Sequence, residues 1–176
     1  MVPKSILFEI QTPAGGKFYP VPHVEEAQMR EVDRVAVEVF GLGILQMMEN
    51  AGRNLSALVM STLEPGRSGP VVVAAGSGGN GGGGLCAARH LHNRGIPVAV
   101  FITRAPETLK GAAAAQWEIL CKAGVEAHPA EDLPGVLPDA ALVLDALIGY
   151  SLRGAPAGVT AELIEQINAS GNAVIS

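Results

Sequence analysis

Aromatic side chains are scarce in this 176-residue chain: four Phe, two Tyr and one Trp make up 4% of it. Small aliphatic side chains must therefore fill the core. They supply much of the 48% hydrophobic content and suit parallel strands covered by helices on both faces. Cysteine is almost missing. Cys86 and Cys121 lie far apart, with no second cysteine near either, which excludes a disulfide framework and a cysteine-based zinc site. Both read as buried, reduced thiols, and the expected localisation is cytoplasmic. No basic run occurs and the formal net charge is −5. Nucleic acid is therefore not an expected partner, and neither is an anionic membrane surface. No apolar stretch approaches the roughly 18 residues of a membrane helix. The N-terminal Met1-Val2-Pro3-Lys4 and the short apolar run after it are too little for a secretory signal.

What remains is a length suited to one domain with one core. Residues 1–20 read as an arm, with Ile6 to Ile10 as a short strand and Thr12 to Gly16 as a turn. Met29, Val32, Ala36 and Val39 recur at helical spacing and predict a helix over 24–40, broken by Gly41 and Gly43. A second helix is expected from Ile44 to Leu63, closed by Pro65-Gly66, with its methionines packed in the core. From Pro70 onward, strands and helices alternate. Strands are expected at 71–75, 97–102, 125–128, 141–145 and 173–176, and helices at 85–94, 107–123 and 158–168. Such alternation predicts a mostly parallel sheet in an α/β fold.

Two stretches carry chemistry. The first is Gly76-Ser77-Gly78-Gly79-Asn80-Gly81-Gly82-Gly83-Gly84, between a strand and a helix. Glycine there lets backbone N–H groups approach a phosphate or sugar, and the following helix N-terminus favours negative charge. Asn80 can donate to a ligand or offer an oxygen to a cation. The stretch contains G-x-G-x-x-G, a weak signal alone, because the dinucleotide fingerprint also needs an acid at the end of the second strand. That strand ends in Ile102-Thr103-Arg104, which disfavours an ordinary dehydrogenase and leaves Arg104 as a possible partner of a 2′-phosphate. A tight strand-to-helix turn would also use glycine, but seven exceed what a turn needs.

The second stretch is Val143-Leu144-Asp145-Ala146-Leu147-Ile148-Gly149, followed by a loop to Gly154. Asp145 closes an apolar strand on the edge where doubly wound sheets bind ligands. It is either a ligand-, metal- or proton-handling carboxylate or the cap of a local turn. Gly149 to Gly154 is a loop able to close over a ligand. His90 and His92 are expected to face solvent or the helix packing layer.

Together with Ala27 to Arg34, Met47-Met48-Glu49-Asn50-Ala51-Gly52-Arg53 and Ala87 to Leu91, these stretches resemble the YjeF N-terminal domain family, the NAD(P)H-hydrate epimerases. The resemblance runs from about residue 24 to the end. It implies a three-layer α/β/α Rossmann-like sandwich, a homodimer, and interconversion of the R and S forms of NADHX and NADPHX beside a potassium ion. It implies potassium ligands at Asn80 and Asp145. Substrate contacts would come from Gly79, Asn80, Gly81, Gly82 and Gly83, and from Gly149, Tyr150, Ser151, Leu152, Arg153, Gly154 and Ala155. Asp145 is the expected catalytic carboxylate. Two departures accompany the resemblance: Gly79 and Gly83 stand where the family has Asn and Asp. The family's next motif, Asp-x-Pro-Ser-Gly, would begin just past Ser176, so residues 21–176 are expected to form a domain truncated at its C-terminus. The alternative function is a catalytically impaired domain used for ligand binding or protein interaction.

Overall fold

The structure is a computed structural model and describes residues 24–176. The expected strand at 6–10, the arm at 1–20 and His23 lie outside the described residues. The chain divides into two compact units, one running to Leu42 and the other spanning Gly43–Ser176.

The first unit carries helix α1, Glu26–Arg34, which continues as a π-helical turn over Val35–Val39. Gln28 caps its start by accepting the Glu25 N–H at 2.9 Å, so one orphan donor of the first turn is satisfied. Arg30 pairs with Glu26, and Arg34 pairs with Glu31 and Glu38, each one turn away. Gly41 ends the segment at φ +70°.

The second unit opens with α2, Ile44–Thr62, and continues with β1, Val71–Ala75, and α3, Gly79–His92. Next come β2, Val98–Ile102, α4, Gly111–Lys122, and β3, Ala127–Pro129. The chain closes with β4, Leu142–Ala146, α5, Val159–Ala169, and β5, Val174–Ile175. All strand pairings are parallel, in the order β3-β2-β1-β4-β5. β1 alternates between two cores. Val71, Val73 and Ala75 face Val59, Leu85, Leu91 and Leu120 from α2, α3 and α4. Val72 and Ala74 face Leu133, Leu137, Leu163 and Ile167 on the other side. These are the three layers expected, filled by small aliphatic residues on both faces.

The structure departs from the expected elements in four places. The helix after the Gly-rich stretch begins at Gly79 rather than 85, so most of the supposed loop is helix. Gly is a poor helix former, by about 1 kcal/mol per residue against Ala, and tertiary packing overrides that preference here. A Cβ at Gly81 would lie 1.7 Å from the Gly76 carbonyl oxygen, one at Gly84 2.5 Å from the Ala146 Cβ, and one at Gly82 2.8 Å from the Met48 sulfur. The expected helix over 107–123 is interrupted: a 3-10 turn at Pro106–Thr108 precedes α4, and Gly111 takes φ +56° between them. Residues between β3 and β4 form 3-10 turns at Ala130–Gly135 and Leu137–Asp139 that no periodicity announced. Cys86 is buried as expected, but Cys121 is exposed on the outer side of α4. Among the described residues, no helix is long and apolar enough to cross a membrane.

The glycines of α3 differ in kind, because a Cβ at Gly83 meets nothing within 4 Å. Replacing Gly83 with Ala is expected to stabilise the protein by about 1 kcal/mol through helix propensity. Replacing Gly81 with Ala is expected to destabilise it by at least about 2 kcal/mol through overlap with backbone. Denaturant unfolding of the two variants reads the opposite signs; equal effects would mean that neither close packing nor propensity governs this helix start.

Candidate functional site

The carboxyl ends of the parallel strands collect the polar groups. The sheet order places its switch point between β1 and β4, where chain direction leaves a crevice. The two strand ends are locked together there: the Gly76 N–H donates to the Ala146 carbonyl at 3.0 Å. A Cβ at Gly76 would lie 2.1 Å from the Leu147 carbonyl oxygen, so only glycine lets the chains pass this closely. Immediately beyond, α3 begins at an extended Gly78 with no side-chain cap. The N–H groups of its first turn therefore face the crevice without intrahelical acceptors.

Asn80 bridges the two stretches singled out in the sequence. Its side-chain amide donates to the Ile148 carbonyl at 2.7 Å, which leaves its oxygen available. Asp145 is the penultimate residue of β4, opposite Ala74, and is half-buried. One of its oxygens accepts the Leu147 N–H at 2.9 Å, an Asx turn that fixes the carboxylate over the chain reversal. The second oxygen is not used by that turn. The structure thus shows the turn-capping alternative for Asp145, with one carboxylate oxygen left outside the turn.

The remaining predicted positions separate by accessibility. Gly79 is exposed and Gly83 half-buried, and neither would oppose a side chain. Gly81 and Gly82 are buried, the first against Gly76 and the second against Met48 and Ala113. Gly149 sits against Asn80, where a Cβ would approach the Asn80 Cβ to 3.3 Å. Tyr150, Ser151, Leu152, Arg153, Gly154 and Ala155 form an exposed segment outside the helices and strands, held at its start by Leu152 N–H to the Gly149 carbonyl.

A second polar cluster was not foreseen. Glu49 of α2 reaches across to α3, where its carboxylate accepts from Arg89 at 2.5 Å, Cys86 at 3.3 Å and His90 at 2.7 Å. Arg94 lies 3.2 Å from the other His90 ring nitrogen. A guanidinium only donates, so that nitrogen accepts and the proton sits on the nitrogen facing Glu49. Burial opposes the Glu49 charge, but the hydrogen bonds from Arg89, Cys86 and His90 outweigh it and lower its pKa. Burial, then the Glu49 hydrogen bond and charge, push the Cys86 thiol up to about 12, so it is a packed donor and a poor nucleophile.

The ligating atoms of Glu49, Cys86 and His90 lie within 4.8 Å of one another. The Arg89 guanidinium already neutralises the carboxylate, and the thiol holds its proton. The group therefore reads as a clamp between α2 and α3, which approach so closely that a Cβ at Gly52 would lie 2.5 Å from the Cys86 sulfur. The sequence signal was present: Cys86, Arg89 and His90 recur at three- and four-residue steps on one face of a helix. Their common partner lay some forty residues upstream.

A cavity of about 390 Å³ opens over the ends of β2 and β3. Its lining includes Thr103, Arg104, Glu107, His128 and Glu131.

The clamp makes a prediction about acid. Because the folded pKa of Glu49 lies below the ordinary carboxylate value of 4.5, its stabilisation is full above that value and is lost as pH falls through the folded value. Replacing Glu49 with Gln is expected to cost about 1–2 kcal/mol at neutral pH, discounted for a carboxylate that is nearly half-exposed. The deficit should shrink as pH falls below 4.5 and through the lowered folded value. Urea unfolding at several pH values measures it; a deficit independent of pH would show that charge is not what holds the helices.

This geometry has close counterparts. The family described as YjeF-related protein N-terminus matches residues 44–176. The NAD(P)H-hydrate epimerase of Dehalogenimonas lykanthroporepellens is 49% identical over 150 residues, covering 84% of this chain and 60% of that protein. The bifunctional NAD(P)H-hydrate repair enzyme Nnr of Thermofilum pendens is 39% identical over 155 residues, covering 85% of this chain and 29% of that protein. The chain thus spans less than two thirds of the length of these relatives. The crystal structure of yeast ynu0 shares the fold with a TM-score of 0.74 at 24% identity, over 84% of this chain and 65% of that one. With the family matched over most of its length and the sheet and helix layers in place, this chain belongs to the YjeF-related N-terminal family.

Proposed function

We propose that this domain epimerises hydrated nicotinamide dinucleotides, interconverting the R and S forms of NADHX and NADPHX at the switch point between β1 and β4. The observation that carries the reading is the convergence of Asn80 and Asp145 on the reversal after β4. An uncapped helix N-terminus stands beside them, suited to a pyrophosphate. Relatives named as NAD(P)H-hydrate epimerase and repair enzyme support it.

The chemistry asks little of the protein. The hydrated ring carries a hydroxyl on the carbon beside the ring nitrogen. The nitrogen lone pair helps the C–O bond break, the hydroxyl leaves as water with one added proton, and a flat iminium results. Water then returns to either face and gives up a proton, which restores the balance. The protein must hold the ring, move that proton and stabilise the transient positive charge. The half-buried Asp145 carboxylate serves the last two tasks, and its Asx turn fixes its direction. The loop from Gly149 to Ala155 covers the bound ring, and Gly79 to Gly83 supply backbone contacts.

The free oxygens of Asn80 and Asp145 are hard donors of the kind that suits an alkali or alkaline-earth cation. They would hold a potassium ion, which supplies a fixed positive charge when bound. A homodimer is part of the same proposal, supported by exposed Ile44, Leu45 and Leu58 on α2; sedimentation at a single species of monomer mass would remove it. A cytoplasmic location is supported by two unpaired thiols; oxidation of both in cells would argue against it.

Two glycines favour the second reading, a binding domain of reduced activity. Gly79 and Gly83 lie one helical turn apart and offer no side chain to a substrate. Chromatography of R-NADHX incubated with the protein, with and without potassium, separates the readings. The expected outcome is conversion to the S form faster than in buffer. Asp145→Asn, which keeps the acceptor of the Asx turn and hence the fold, should lower the rate by about 10²-fold. Unchanged epimerisation in that variant would remove Asp145 from the chemistry.

A further inference from the structure

We infer that the cavity over β2 and β3 is the seat of the adenosine half of the dinucleotide, with Arg104 placed to hold a ribose 2′-phosphate, so that the phosphorylated substrate is preferred. The inference rests on the dinucleotide reading above and goes beyond it by naming the subsite and its selectivity.

The argument begins with distance. Neighbouring strands lie about 4.8 Å apart, and β2 is two places from β4 in the sheet. The cavity therefore begins about 10 Å from the Asp145 strand, a separation that an extended dinucleotide spans. The N-terminus of α3, directly after β1, stands between the two and offers its first-turn N–H groups to the linking phosphates. The Thr103 N–H donates to the Ala75 carbonyl at 3.1 Å, so the exit of β2 beside the cavity is tied to the end of β1, where the Gly-rich turn begins.

The lining has the right chemistry. Its volume, about 390 Å³, falls within the range of small-molecule sites. The His128 ring lines it and packs on Phe101 with centroids 5.6 Å apart, which offers a flat surface to a base. Arg104 is exposed at the rim and makes no ion pair among the described residues. It occupies the end of the second strand, where dinucleotide folds carry an acid for a ribose hydroxyl or an arginine for a 2′-phosphate. Glu107 and Glu131 line the same cavity with the opposite sign. Selection must therefore come from the position of one guanidinium and its forked donors, because the summed charge of the lining does not favour an anion.

Calorimetric titration with ADP-ribose and 2′-phospho-ADP-ribose tests this directly. Neither probe carries a nicotinamide, so the result is independent of epimerisation. Both should bind, the phosphorylated probe about tenfold more tightly, and Arg104→Ala should erase that difference while leaving ADP-ribose affinity unchanged. Arg104 is exposed, so the variant should fold. Absence of binding by either probe, equal affinity for both, or a preference that survives in Arg104→Ala would overturn the inference. Binding with the expected preference but without epimerisation would leave this subsite standing and remove the epimerase reading; epimerisation without probe binding would do the reverse.

Discussion

The seat of α3 against the ends of β1 and β4 is the constraint on which the rest of the structure depends. A helix whose first turns are almost all glycine has little reason to form alone, since each glycine costs about 1 kcal/mol relative to alanine. It forms because three of those glycines let its backbone approach where no side chain fits: Gly81 on the Gly76 carbonyl, Gly82 on Met48 and Ala113, and Gly84 on Ala146. The contact places the helix N-terminus at the sheet's switch point, and through Asn80 it also ties down the reversal after β4. Folding and site assembly are therefore one event. A residue with a Cβ at Gly76 or Gly81 would separate both strand end and helix start, so the glycines that matter for the fold are the ones the site cannot do without.

The Glu49 clamp secures the opposite side of the same helix. Helices α2 and α3 touch at Gly52 and Cys86, and one turn away the carboxylate takes three donors from α3. A charged group at a helix interface would ordinarily be a liability, because desolvation competes with pairing. Here Glu49 remains nearly half-exposed while Arg89 is well covered, so most of the desolvation falls on the partner best able to share its charge over several donors. The thiol of Cys86 adds a third donor to the carboxylate. These residues tie α3 to α2 across the helix interface.

Much of this was legible in the sequence, and the exceptions have physical causes. The strands were legible because a strand buried on both faces must be a continuous apolar run, as Val71 to Ala75 and Leu142 to Leu144 are. Helices α2 and α5 showed their periodicity and their terminal glycines. The start of α3 was not legible, because propensity alone assigns a glycine run to a loop, and only tertiary contact overrides it. The 3-10 turns between Ala130 and Asp139 were hidden by Pro134 and Pro138, which break any helical pattern. Asp145 and Asn80 stood out in the sequence because strand end and helix start mark the crevice of such sheets. The cavity over β2 and β3 could not, since Thr103, His128 and Glu131 are ordinary surface residues until the sheet order brings their strands together.

The division among the glycines also bears on how far this site can have changed. At Gly79 and Gly83 a Cβ would meet nothing, and the two positions share one face of α3, a turn apart. The missing side chains there are thus not a requirement of packing. A change between glycine and a residue with a side chain at either position alters helix propensity but leaves the seat of α3 untouched. At Gly81, Gly82 and Gly84 the converse holds: glycine is demanded by neighbours, whatever the ligand. The polar groups that survive, Asn80 and Asp145, are the two whose side chains also make backbone hydrogen bonds that hold the crevice together. Loss of either would loosen the reversal after β4. Structural necessity therefore holds Asn80 and Asp145 in place more strongly than it constrains the open face of α3.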